Sequence, residues 1–167
     1  MQGERDETQF RIWLSEHRGI LLKVAGSFTS SDEDRDDLIQ EVVARLWATM
    51  PSYRGQSKAS TWIYRVALNR ALTWQRDESR RRSRHVPLIE VVDKKETTSA
   101  NAKLLHRLYT EIRELKQIDR SLILMSLDGC TYQEMADVMG MTQSNVGVRL
   151  NRAKKELSEK MARYADE

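Results

Sequence analysis

The sequence is short of the residues that staple small extracellular folds together. It has one cysteine, Cys130, in 167 residues, so it can form no internal disulfide framework and no cysteine-cluster zinc site. Cys130 itself reads as a small buried residue. With two prolines and seven glycines, collagen-like and Pro/Gly-rich disordered chains are excluded. Aromatics reach only 7%. No run approaches the roughly 18 apolar residues of a membrane span. The opening residues, Met1 to Glu7, are charged and lack the apolar stretch of a secretion signal. The expectation is a cytoplasmic protein with no membrane insertion. What is plentiful is charge, at 32% of residues against 40% apolar. That balance favours a helix-rich chain, long enough for one or two domains and a buried core.

The net charge of +3 is unevenly spread. Between Asp32 and Glu41 six carboxylates face one arginine. Between Arg54 and Arg84 nine Lys or Arg face only Asp77 and Glu78. Adjacent acidic and basic blocks suit two different partners, the basic one matching the footprint expected for phosphate backbones. Solvated helix faces are the plain alternative.

Apolar spacing predicts helices and no strand of useful length. A first helix is expected from about Glu7 to Ala25, with Phe10, Trp13, Leu14, His17, Leu21 and Val24 on one face. A second begins near Ser30, where Ser30 and Glu33 have capping-box spacing. Its stripe is Leu38, Ile39, Val42, Val43, Leu46 and Trp47, and Pro51 stops it. After a polar loop, Ser52 to Ala59, a third helix runs from about Ser60 to Arg81, with Ile63, Val66, Ala67, Ala71 and Trp74 inward. From about Ser83 to Ala100 the helical period lapses around Pro87, as in a linker. Leu104, Leu105, Leu108, Ile112 and Leu115 then form a new stripe. A short helix around Ser121 to Leu127 ends at Asp128-Gly129. Thr131 and Glu134 make a second capping box, whose helix ends at Gly140. A last helix extends to about Tyr164. A capped short helix, a glycine turn and a second helix match the helix-turn-helix pattern.

In that last helix, Val146, Leu150, Ala153 and Leu157 share an inward face at 100° per residue. Ser144, Val148, Asn151 and Lys155 then point outward, flanked by Gly147 and Arg152. A recognition helix reads base edges near its N-terminus and meets phosphates with flanking cations, and this face offers both. In the third helix, Trp62, Arg65, Asn69, Thr73 and Arg76 recur at spacings of three and four. An aromatic, an amide and cations in line suit stacking on unpaired bases and gripping their backbone. Tyr53, Arg54, Gln56 and Lys58 in the loop before it add to this surface. Trp74 reads as core, and for Trp62 core and stacking readings both stand. The run Arg80-Arg81-Arg82 with Arg84 reads as phosphate-facing or solvated.

These stretches resemble the extracytoplasmic-function group of bacterial sigma factors. The first match is Asp36-Asp-Leu-Ile-Gln-Glu-Val-Val-Ala-Arg-Leu-Trp47, Tyr53-Arg-Gly and Thr61-Trp-Ile-Tyr-Arg-Val-Ala-Leu-Asn-Arg70, like the family's region 2. The second is Leu127-Asp-Gly-Cys-Thr-Tyr-Gln-Glu-Met-Ala136, Asn145-Val146, Arg149-Leu150 and Arg152-Ala153, like its region 4. The resemblance implies an all-α fold of two small helical domains on a flexible linker: residues 1–84, a linker over 85–100, and residues 101–167. It implies a non-catalytic subunit, without cofactor or metal, that binds core RNA polymerase and directs promoter-specific initiation.

On the family's pattern, contact with the β′ clamp helices would fall on Asp37, Gln40, Glu41 and Arg45, and region 4 would meet the β flap. Melting and reading the −10 element would fall on Tyr53, Arg54, Gln56, Ser57, Lys58, Trp62, Arg65 and Asn69, with Arg76 continuing the stripe. The −35 element would be read by Ser144, Asn145, Gly147, Val148, Asn151 and Arg152, with Lys155 beyond. An anti-sigma protein that holds the chain inactive is the usual expectation for this group.

Two departures stand out. Gly147 and Val148 occupy positions where the family commonly has a basic and a small polar residue. Reading by this helix then leans on thymine methyl contact and DNA shape. The Leu-Pro pair usual before the region 4 helices is replaced by Leu115-Lys-Gln-Ile-Asp119.

Two other functions compete. A helix-turn-helix regulator that never meets polymerase accounts for the C-terminal half but leaves the Trp62 to Arg76 face beside an acidic helix unexplained. A metal-dependent nuclease using Asp32, Asp34, Asp36, Asp37 and Glu41 lacks a second cluster to close a metal site. His17, His85 and His106 are scattered, and no Gly-rich phosphate loop or nucleophile elbow appears.

Overall fold

The computed structural model describes residues 2–82 and 100–165. Among these residues the fold is all-α, with eight helices and no strand. The order is α1 (Gln2–Glu16), α2 (Arg18–Phe28), α3 (Asp32–Thr49), a 3-10 turn (Met50–Ser52) and α4 (Ala59–Arg82), then α5 (Ala100–Glu114), α6 (Gln117–Leu127), α7 (Tyr132–Met139) and α8 (Gln143–Ala165). Most of the linker expected over 85–100 lies outside the described residues, as do the side chains of Arg80, Arg81, Arg82 and Arg84.

Local chemistry sets most boundaries. The first predicted helix is in fact two, broken at His17, whose backbone leaves the helical region (φ −112°, ψ 17°). The start of α3 falls one residue later than the predicted cap. Ser31, not Ser30, is the N-cap, and its hydroxyl accepts the Asp34 N–H at 3.1 Å. Asp32, Glu33 and Asp34 fill the first turn, where the helix dipole favours carboxylates. Pro51 follows in the 3-10 turn. The Thr131 and Glu134 capping box forms as expected. Gly140 then closes α7 with φ +64°, a left-handed conformation that glycine adopts without cost, and Met141 N–H donates back to Ala136 C=O. Thr142 starts α8 by accepting the Asn145 N–H at 3.1 Å.

Helices α1–α4 make one lobe and α5–α8 a second. In the first, Leu38, Val42 and Leu46 of α3 pack with Val24, Ala25 and Phe28 of α2 and with Ile63, Ala67, Leu68 and Ala71 of α4. In the second, Ile112, Leu122, Leu124, Met125, Met135, Val146 and Leu150 are buried. The expected inward face of α8 is borne out in full, since Val146, Leu150, Ala153 and Leu157 are all buried. Some predicted core residues are not. Trp47 is 46% exposed and meets the Phe10 ring edge-on (centroids 5.1 Å apart). Leu104 and Leu105 of α5 are each more than half exposed.

The lobes do not stand apart. Helix α4 packs on α6 and α7, and α2 packs on α5 and α6. Arg120 of α6 is buried in this junction. Its guanidinium donates to the carbonyls of Leu115 at 2.9 Å and Arg113 in its own lobe, and to Ser27 at 3.0 Å in the other. It also lies 4.8 Å over the Phe28 ring. One cation thus caps carbonyls at the ends of helices from both lobes, and desolvation pulls its pKa below the usual guanidinium range.

Candidate nucleic-acid interface

The acidic helix α3 turns Asp37, Gln40, Ala44 and Arg45 to solvent, on the side away from Leu38, Val42 and Leu46. Glu41 differs from its neighbours: it is half-buried and ion-paired with Arg70 of α4. Of the four residues assigned to a protein partner, three are free on one face and the fourth is tied to its own lobe.

The loop after α3 and the start of α4 build an aromatic cluster. Trp62 is 8% exposed. Its ring sits 5.6 Å from Trp13 and 5.4 Å from Tyr53, and Tyr53 meets Trp13 edge-on at 5.0 Å. The Tyr53 hydroxyl donates to Ser57 C=O at 2.5 Å, so the loop folds back over the cluster. Between the two readings left open for Trp62, the structure places the ring in the core. Trp74 is core as expected. Edge-on and tilted ring pairs add about 1 kcal/mol each beyond the area they bury.

Around this cluster the polar candidates lie in a row. Arg54, Gln56, Lys58, Asn69 and Arg76 are exposed, and Ser57, Arg65 and Thr73 half-exposed. Thr73 turns its hydroxyl back to Asn69 C=O at 2.9 Å, which leaves the Asn69 amide as the free polar group at that level. Two cations of the row reach the second lobe. Lys58 Nζ lies 2.9 Å from Glu134 Oε1, and Arg65 donates to Asp137 C=O at 3.3 Å. The hydrogen bond to Glu134 raises the Lys58 pKa. The Glu134 carboxyl is held below the usual range, first by the Thr131 N–H and then by Lys58.

In the second lobe, α7 and α8 form the helix-turn-helix. Ser144, Asn145, Val148, Asn151, Arg152 and Lys155 are all exposed along one side of α8. Val148 is 56% exposed, an apolar tip on an otherwise polar surface. Arg149, which the sequence pattern includes, is not on that side; it binds Asp119 of α6 at 2.6 Å and fixes the helix in its lobe. At Gly147 a side chain would press on a neighbour, which would have to give by a few tenths of an ångström. A Cβ there would come within 3.2 Å of the Tyr132 ring, which leans from the start of α7 onto α8. The sequence reading missed Tyr132 as a neighbour of this surface, because the contact joins two helices across the turn.

Among the described residues no group of three or more His, Cys, Asp or Glu could hold a metal ion, and no helix is long and apolar enough to cross a membrane.

Comparison with known proteins matches both lobes. Residues 13–81 fit the family model for sigma-70 region 2, and residues 105–157 fit that for sigma-70 region 4. Together the two models take in well over half of the chain. The chain is 26% identical to the ECF RNA polymerase sigma-E factor of Haemophilus influenzae, covering 93% of this chain and 89% of that protein. It is 27% identical to the RNA polymerase sigma factor YlaC of Bacillus subtilis, covering 81% and 82%. Among solved structures, the fold resembles the sigma factor RpoE of Bartonella quintana, solved with the anti-sigma factor NepR. That match has a TM-score of 0.72 at 20% identity, covering 90% of this chain and 95% of that one. It also resembles CnrH, solved with the cytosolic domain of CnrY, with a TM-score of 0.69 at 21% identity, covering 93% and 89%.

Proposed function

The chain belongs to the extracytoplasmic-function group of sigma-70 factors, the non-catalytic subunits that direct RNA polymerase to promoters, and we propose how its two lobes divide that task. Lobe α1–α4, region 2, binds core polymerase through the exposed face of α3, with Asp37, Gln40 and Arg45 as the contact and Glu41 holding α4 in place through Arg70. The loop from Tyr53 to Lys58 and the row Arg65, Asn69 and Arg76 engage the −10 element and its unpaired strand. Lobe α5–α8, region 4, docks on the β flap and reads the −35 element with Ser144, Asn145, Val148, Asn151, Arg152 and Lys155. The chemistry of RNA synthesis is the polymerase's own. The protein works in the cytoplasm beside the polymerase, and an anti-sigma protein restrains it, as the NepR and CnrY complexes of its structural neighbours suggest.

The observation that carries this reading is the order of the surfaces. An acidic exposed face, a basic row and a helix-turn-helix follow one another along a chain that matches region 2 and then region 4. A regulator that never bound polymerase would leave the acidic exposed face without a partner.

Transcription in vitro with core polymerase on a genomic promoter library is the test. The chain is expected to support initiation from a defined set of promoters. Asp37→Lys should lose polymerase binding, and Asn69→Ala should keep it while strand opening fails. Absence of initiation from every promoter would overturn the reading, and equal loss of both steps in both variants would overturn the division of labour.

A further inference from the structure

Gln143 opens α8 and is exposed. Residues at the start of a recognition helix meet base edges. Gly147, one turn on along the same flank, has no side chain to hydrogen-bond with, so polar readout on that flank falls to Gln143. The Gln143 side chain is not loose. Its amide nitrogen donates to Gln133 Oε1 of α7, and Gln133 Nε2 donates in turn to Asp137 Oδ1 at 2.8 Å. The three side chains form a relay across the turn, made wholly within the helix-turn-helix.

The direction of the relay follows from its last member. A carboxylate accepts hydrogen bonds and cannot donate one, whereas an amide can do either. Asp137 therefore turns the amide nitrogen of Gln133 toward itself. The carbonyl of Gln133 is left for Gln143, which meets it with its own nitrogen. The Gln143 carbonyl and its second N–H remain for the groove. That pair is complementary to adenine, whose N6 donates and whose N7 accepts. Guanine offers O6 and N7, both acceptors, and would set one of them against the Gln143 carbonyl.

We propose that Gln143 reads an adenine of the −35 element, and that Asp137, acting through Gln133, decides which end of its amide faces the base. Gln143 is then a specificity residue, while Gln133 and Asp137 are positioning residues. The inference rests on the assignment of α8 to the −35 element. The relay rejects guanine as well as accepting adenine. Turning the Gln143 amide over to meet guanine would bring its carbonyl face to face with that of Gln133, and Asp137 prevents Gln133 from turning with it. An amide at position 137 lifts this constraint, because it can donate to Gln133 and let the whole relay run in reverse.

The experiment uses holoenzyme assembled from the full chain and core polymerase, on a promoter drawn from the genomic library. Each base pair of the −35 element is varied in turn, and competition binding reads the preference at each. In the wild type one pair should favour adenine over guanine by about tenfold. Gln143→Ala should level that pair and leave the preferences at the others in place. Asp137→Asn should admit guanine at the same pair, bringing the ratio near one. Adding Gln133→Glu to Asp137→Asn returns the net charge to its wild-type value and puts an acceptor-only group beside Gln143, so the rejection of guanine should return. A merely structural loss in α7 would not be reversed in this way. Gln143→Ala with the wild-type preference at every pair overturns the proposal. So does Asp137→Asn that still rejects guanine, or a double variant that fails to recover the rejection. A wild-type holoenzyme with no preference at any upstream pair would strike the functional reading itself.

Discussion

The two surfaces assigned to DNA are prepared in opposite ways. The face of α8 is finished. Its backbone is capped by Thr142, its inner side is locked by Val146, Leu150 and Ala153, Arg149 is pinned to Asp119, and its reading side chains are out in solvent. The row on α4 and its loop is engaged at two of its cations and open elsewhere. Trp62 is packed among Trp13 and Tyr53, and Lys58 and Arg65 are engaged by the other lobe. The contrast follows from the ligands. The edges of a closed duplex are rigid and can be met by a preformed helix, whereas an unpaired strand exists only once the duplex has opened and is met by stacking and charge.

Trp62→Ala tests the engaged side most severely. If the ring is core, its loss should cost about 3–5 kcal/mol of stability and lower the thermal midpoint of the free chain before any DNA is added. A normal melting curve with a defect confined to promoter opening would make Trp62 a stacking platform and erase the contrast. Arg120→Met should come next. It strips three carbonyls of their shared donor, and the expected loss is about 2 kcal/mol in denaturant unfolding. On the finished side, Asn151→Ala or Arg152→Ala should leave the melting curve unchanged and weaken discrimination at single upstream positions by about 1–3 kcal/mol, read by competition between promoter duplexes.

Gly147→Lys sharpens the contrast from within α8. The new Cβ must push the Tyr132 ring by a few tenths of an ångström. The helix gains up to about 1 kcal/mol in propensity, and the new cation should steepen the salt dependence of duplex binding by about one. Acid gives the smallest effect. The Glu134 pKa is depressed in the fold, so its contribution is in force above the ordinary value of 4.5 and fades as the pH falls through the folded value. The Lys58 contact and the α7 cap should loosen together in that window. Glu134→Gln should remove the pH dependence at a cost below about 1 kcal/mol, read by thermal melts across acid pH.

How much of this was legible beforehand depends on range. Residues a few positions apart announced themselves: the Thr131–Glu134 box, the Gly140 stop, the Val146 to Leu157 stripe and the acidic start of α3 all appear where spacing puts them, give or take one residue. The break at His17 did not, because the apolar stripe runs through it unbroken and only the backbone turns. Trp47 and Leu104 read as core because periodicity reports which way a residue faces, not whether another helix arrives to cover it. The fate of Trp62 was open for the same reason, since its neighbours Trp13 and Tyr53 come from other elements.

The chain's own order of residues settled the helical class, the two matched regions, the charge blocks and the candidate readers, because each is a pattern within one element or a run along the chain. Tertiary structure alone decided which readers are free. The pairing of Lys58 with Glu134, of Tyr64 with Asp128 and of Arg120 with Ser27 joins positions dozens of residues apart. Such contacts depend on how two packed lobes meet in space, and no local spacing encodes that.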